Sequence, residues 1–219
     1  MNDDAFDADD LLAWKNALVD DLKRVSARDR WGLALMAVGW VHLAFFLVNQ
    51  LLFSRHDPSD AHFVGLWVLE VAAVVGTVRL VAGRGWYRAT PLAGVIARVW
   101  ATFLILAFSA ATLNSLFGAS ADWFKLVWCT LSSFGFATTA WLLSPWFLVS
   151  AFQMYFTGLL MVAHPGWAYL IHGVSWCLAL QGIGLVLEWR RIRGLFPAAG
   201  SAAEPLVGLG VGAVPGDRQ

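Results

Sequence analysis

Glu70 stands in the run LWVLEVAAVVG (66–76), the only charged residue in that stretch. A carboxylate among apolar neighbours can hold a proton, receive a cation or tie two elements together by a hydrogen bond, and the surrounding solvent decides which. His42, in WVHLAFF (40–46), is the nearest candidate partner in type, and Arg98, in IARVW (96–100), is its competitor. Gln153, Thr138 and Thr139 extend the set of polar residues within apolar runs and could continue a polar interior. Hydroxyl residues are also common packing residues between helices. Arg79 has a simpler expectation, with its long side chain snorkelling to headgroups.

Other chemistries lack their parts. Cys129 and Cys177 lie in separate apolar runs and read as small packing residues. Zinc needs clustered ligands, and none cluster in the sequence. No metal and no cofactor is expected. His42 and His172 could suggest paired axial ligands of a haem. Counted from their helix ends, however, they differ in depth by about 10 Å, whereas two axial ligands of one haem need similar depths. His62 and His164 fall at the outer ends of apolar runs, where an interfacial place suits them. Hydrolysis is no better served: the chain has no Gly-x-Ser-x-Gly elbow and no His-Glu-x-x-His pair, and Ser132-Ser133 has no assignable base. Ala72 with Gly76, and Gly135 with Thr139, have the four-residue spacing that lets helices approach closely.

These residues must be positioned by something, and the composition says what. Of 219 residues, 59% are hydrophobic and 14% charged, against about 45–50% and 25% in a typical soluble domain. Six apolar runs, 31–53, 63–82, 92–117, 123–143, 146–162 and 167–189, approach or exceed the roughly 20 residues a helix needs to cross a bilayer. Turn signals divide them: SRHDPSD, GRGWYRATP, GASAD, Ser144-Pro145 and HPG. Ser144-Pro145 is the ambiguous one, because proline kinks helices as well as ending them, and a re-entrant fourth–fifth pair is the alternative. The predicted fold is all-α, an integral membrane bundle of six transmembrane helices.

Charge gives the orientation. Lys15, Lys23, Arg24, Arg28 and Arg30 precede the first run, Arg79, Arg84, Arg88 and Arg98 surround the second loop, and Arg190, Arg191 and Arg193 follow the last. The first loop has Arg55 alone, and the third has no basic residue before Lys125. Positive charge favours the cytoplasmic side, so both termini are expected there, with a bacterial inner membrane the expected location. Trp31, Trp123, Trp141, Trp146, Trp167 and Trp189 fall at run ends, where their rings suit the headgroup layer. The acidic start MNDDAFDADD is the opposite of a signal-peptide n-region, so the first run is expected to act as the insertion signal.

Residues 1–30 form a cytoplasmic segment in which Leu11, Trp14, Leu18, Leu22 and Val25 recur at helical spacing. Such an amphipathic helix can lie on the bilayer or meet a protein partner; equally, it can be a linker continuing into the first span. Residues 190–219, rich in Gly, Pro and Ala, read as a flexible cytoplasmic tail without a phosphate-binding pattern. Eight of the 15 acidic residues lie in the first 30 positions, and the net charge is zero, so no basic surface for nucleic acid is expected.

Matched depth allows Glu70 and His42 to meet, although spacing does not show that their side chains face each other. Glu70 lies twelve residues from Ala82 and His42 eleven from Trp31, roughly 18 and 16 Å from the cytoplasmic side. Both are near the midplane on neighbouring helices. A charged side chain there costs about 2.5–3.5 kcal/mol on insertion scales, so protonation or a partner is required. Two functions follow as expectations: a non-enzymatic accessory, sensor or assembly protein, or a small proton-coupled transporter or channel working through Glu70 and His42.

Overall fold

A computed structural model describes residues 12–14, 16, 17, 20, 30–55, 60–84, 88, 90–116 and 121–193. These are helix and turn, with no strand among the described residues. From Trp31 to Ile192, the described residues form six helices: α1 Trp31–Arg55, α2 Asp60–Val81, α3 Pro91–Leu116, α4 Ala121–Leu142, α5 Phe147–Ala163 and α6 Ala168–Ile192. A 3₁₀ turn, Pro165–Trp167, leads into α6. The helix ends depart from the apolar runs by at most three residues, at Asp60 (run start 63) and Ile192 (run end 189).

Local chemistry sets several of these ends. Thr90 precedes Pro91, and its Oγ1 accepts the Ala93 N–H at 3.0 Å; an N-cap hydroxyl followed by proline at the first position is a strong helix start. After α2, Gly83 takes φ +92°, the left-handed conformation that ends helices and that glycine adopts at no steric cost. Ser144-Pro145 is a turn and not a kink. Phe147 N–H bonds Ser144 O and Leu148 N–H bonds Pro145 O, and α4 and α5 then pack antiparallel.

Around the bundle the neighbours run α2, α1, α6, α5, α4, α3. Rings close the circle, with Trp67 of α2 lying 6.0 Å from Phe108 of α3 and 4.4 Å from Trp128 of α4. The tightest seam joins α1 and α6. A Cβ on Gly32 would lie 2.5 Å from Gly184 O, and one on Gly173 would lie 2.5 Å from Phe46 Cβ. The small residues singled out by spacing fare unevenly. Gly135 does admit a neighbour, the Trp100 ring, at 3.2 Å from a built Cβ, but Gly76 has nothing within 4 Å, and Ala72 beside it is exposed.

Trp31–Leu52, Val64–Val81, Pro91–Asn114 and Pro165–Ile192 are each long and apolar enough to cross a membrane. Phe147–Ala163 is apolar but shorter, and α4 is diluted by Lys125, Thr130, Ser132, Ser133, Thr138 and Thr139. The outward faces are oily, with Leu69, Ile105, Phe152, Phe156 and Leu178 all exposed. Such faces suit lipid, as expected of a helical membrane-associated protein. Trp141, Trp146, Trp167 and Trp189 are exposed at helix ends.

Of the N-terminal stripe, only Trp14 lies within the described residues. It is exposed, and the residues described around it are helical. Leu11, Leu18, Leu22 and Val25, and the tail from 194 onward, lie outside them.

Candidate functional site

Glu70 and His42 meet. Glu70 Oε1 is in direct contact with His42 Nδ1 across the α1–α2 interface, with both side chains largely buried. The other imidazole nitrogen, Nε2, is buried and has no hydrogen-bond partner among the described residues. Two rings pack on the imidazole: Phe46, one turn on along α1, lies 4.5 Å from the His42 ring, and Trp176 of α6 lies 5.1 Å away. Trp176 in turn packs on Trp100 and Phe136 and donates its indole N–H to Ser132 Oγ at 3.2 Å.

Arg98 is not brought to Glu70. It is exposed at the start of α3, where it lines an apolar crevice of about 290 Å³ with Val95, Thr102, Phe134, Gly135 and Thr138. An arginine six or seven residues into a helix can reach either inward or out to headgroups, and spacing alone does not choose. Thr138 and Thr139 donate to Phe134 O and Gly135 O of their own helix. Those hydroxyls satisfy themselves locally and build no shared polar interior. Gln153 does cross between helices. Its Nε2 donates to Ser175 O at 2.8 Å and Ser175 Oγ at 3.1 Å, and Thr157 Oγ1 lies against Ser175 Oγ at 2.5 Å.

The same pattern recurs along the bundle. Gln50 of α1 donates to Gly166 O at 2.7 Å and accepts from Leu170 N–H. Gln181 of α6 donates to Met36 O at 2.9 Å, and Ser133 of α4 to Ala151 O at 2.9 Å. Glu188, buried in the last turns of α6, accepts the Leu33 N–H at 3.2 Å and pairs with Arg191 at 2.8 Å. Leu33 lies in the first turn of α1, whose amides have no partner within their own helix. A carboxylate from another helix thus caps α1, which has no acidic residue of its own in that turn.

His172 corrects the depth count. The two imidazole centroids are 6.3 Å apart, closer than the roughly 10 Å of separation expected from the helix ends. Close backbone contact, not the helix ends, sets the register of α1 against α6. Met36 lies level with Gln181 and Phe46 with Gly173, so His42 is level with Trp176 and one turn from His172. Phe46 and Trp176 pack against both imidazoles. His172 also stacks on Trp128 at 5.4 Å, and its Nδ1 lies 3.2 Å from Cys129 Sγ.

Sequence spacing missed Glu188, which sits in the basic end EWRR, and Lys125, which is buried with its ammonium 5.0 Å from the Tyr169 ring centre. It also missed Cys129, whose partners come from two other helices. Among the described residues, no three His, Cys, Asp or Glu side chains converge as a metal site. Comparison with protein-family models, with curated proteins and with solved structures found no match to the chain.

Proposed function

We propose that the chain is a six-span integral membrane protein of a bacterial inner membrane, with both termini cytoplasmic, acting as a non-enzymatic accessory, sensor or assembly component. One observation carries this reading: five buried or partly buried polar side chains bind neighbouring helices. Gln50, Gln153, Gln181, Ser133 and Glu188 each reach backbone of another helix, and the Phe46 and Trp176 rings pack on His42. Such groups fix one packing of the bundle rather than line a route for cargo. The orientation is supported by Arg30, Arg79, Arg84, Arg88, Arg98, Arg190, Arg191 and Arg193, which fall at one end of the antiparallel helices. Trp14 and the exposed Leu12 are available to a bilayer surface or a protein partner.

Replacing Glu70 tests the role of the pair. For a structural tie, Glu70→Gln should keep fold and interactions while Glu70→Leu damages both. A second reading, a small proton-coupled transporter or channel, is favoured by one feature, the buried acid–base contact with His42 Nε2 unpartnered. Under it, Glu70→Gln folds normally but loses pH-dependent flux in vesicles. Reporter fusions after Ser59, Gly118 and Gly166 should report the outer side, and those after Tyr87 and Arg193 the cytoplasm. A cytoplasmic signal after Gly166 contradicts six spans.

A further inference from the structure

Three soft ligand atoms from three helices converge at the end of the bundle where α5 turns into α6. Cys129 Sγ of α4 lies 3.2 Å from Met161 Sδ of α5 and 3.2 Å from His172 Nδ1 of α6. All three residues are at least 97% buried, with exposures of 2%, 3% and 2% in the same order. The backbone brings them there: a Cβ on Gly158 would lie 3.3 Å from Cys129 Cβ, so α5 passes close over the thiol. Stacking on Trp128 and packing on Phe46 fix the His172 ring.

We propose that Cys129, Met161 and His172 bind a soft monovalent metal ion, Cu(I). Thiolate and thioether are soft ligands that favour Cu(I), and imidazole also suits copper; a thioether is a poor ligand for hard cations, which prefer oxygen. Charge points the same way. Cu(I) displaces the thiol proton to solvent, and one thiolate with one monovalent ion leaves a neutral site. A divalent ion would leave a net positive charge in apolar surroundings, where unpaired charge is costly. Metal–ligand bonds of roughly 2.0–2.3 Å place ligand atoms somewhat further apart than 3.2 Å. The cluster must therefore open by about half an ångström, which the three rotatable bonds of Met161 allow. Met161 is two residues from the last residue of α5 and His172 four from the first of α6. The ion then has roughly 3–6 Å of helix to pass from that end of the bundle. This site stands apart from the roles proposed for His42 and Glu70.

The test uses the purified full chain in detergent, with Cu(I) supplied under ascorbate against bathocuproine disulfonate as a chromophoric competitor. One Cu(I) per chain is expected, with X-ray absorption showing two sulfur neighbours and one nitrogen. Cys129→Ser and Met161→Leu should each weaken retention by more than about tenfold, the loss that even outer-shell changes can give. Met161→Leu should also remove one sulfur from the copper shell. Leucine conserves volume and apolarity, and unchanged thermal unfolding of metal-free Met161→Leu separates ligand loss from misfolding. Cys177→Ser and Met154→Leu, at buried sulfurs elsewhere, should retain copper as the parent chain does. No retention by the parent chain, equal retention by Cys129→Ser, or Zn(II) held as tightly as Cu(I) would overturn the assignment.

Discussion

Along α1 and α6, glycine removes a side chain where two backbones meet; along α2, Gly76 removes one where nothing is near. Gly32 and Gly184 face each other so closely that a Cβ on either would lie 2.5–2.6 Å from the other's carbonyl oxygen. The same seam carries Glu188 on Leu33, Gln181 on Met36 and Gln50 on Gly166. α2 is held mainly by Trp67, Glu70 and partly buried Val74 and Val78, while Val68, Leu69 and Leu80 turn outward. Two helices of similar apolarity thus play different parts. In lipid, burying oil gains little, so close backbone approach and interhelical hydrogen bonds decide which helices associate firmly.

The comparison is broken most severely at Gly32. Gly32→Leu forces a branched side chain against the Gly184 carbonyl and should cost about 3 kcal/mol or more, the upper end of overpacking penalties; thermal unfolding in detergent measures it. Glu188→Ala removes the carboxylate that caps α1 from α6. It should lower stability by about 0.5–2 kcal/mol, the usual range for a lost helix cap, with hydrogen exchange rising first at the amides around Leu33. The smallest effect belongs to Gly76→Ala, expected within about 0.5 kcal/mol of the parent because its surroundings are open. A loss there as large as at Gly32 would erase the distinction between the two regions.

Much of this architecture was legible in the sequence, because apolar runs bounded by charge and turn residues mark helices in one dimension. The pairing of Glu70 with His42 was legible too, since a short loop makes α1 and α2 antiparallel neighbours and depth can be counted along each. Depth counting failed for His172, where the register of α6 on α1 comes from glycine contacts that the chain ends do not reveal. Arg98 could not be placed because a long flexible side chain has two destinations from one backbone position. Glycine spacing is equally blind to the second partner: Gly76 and Gly32 look alike until a facing helix is known. The convergence of Cys129, Met161 and His172 has no signature within any one helix.

A double-mutant cycle at His42 and Glu70 tests the central claim most directly, that buried polar groups in this bundle tie its helices together. Unfolding free energies are measured in one detergent for the parent chain, His42→Leu, Glu70→Leu and the double variant. Each single change should be destabilising, because it leaves a buried polar partner unmatched. The double variant should cost less than the sum of the two, with a coupling of about 0.6 kcal/mol or more, the scale of interhelical hydrogen bonds in membrane proteins. Strict additivity, with no coupling beyond experimental error, would contradict the account.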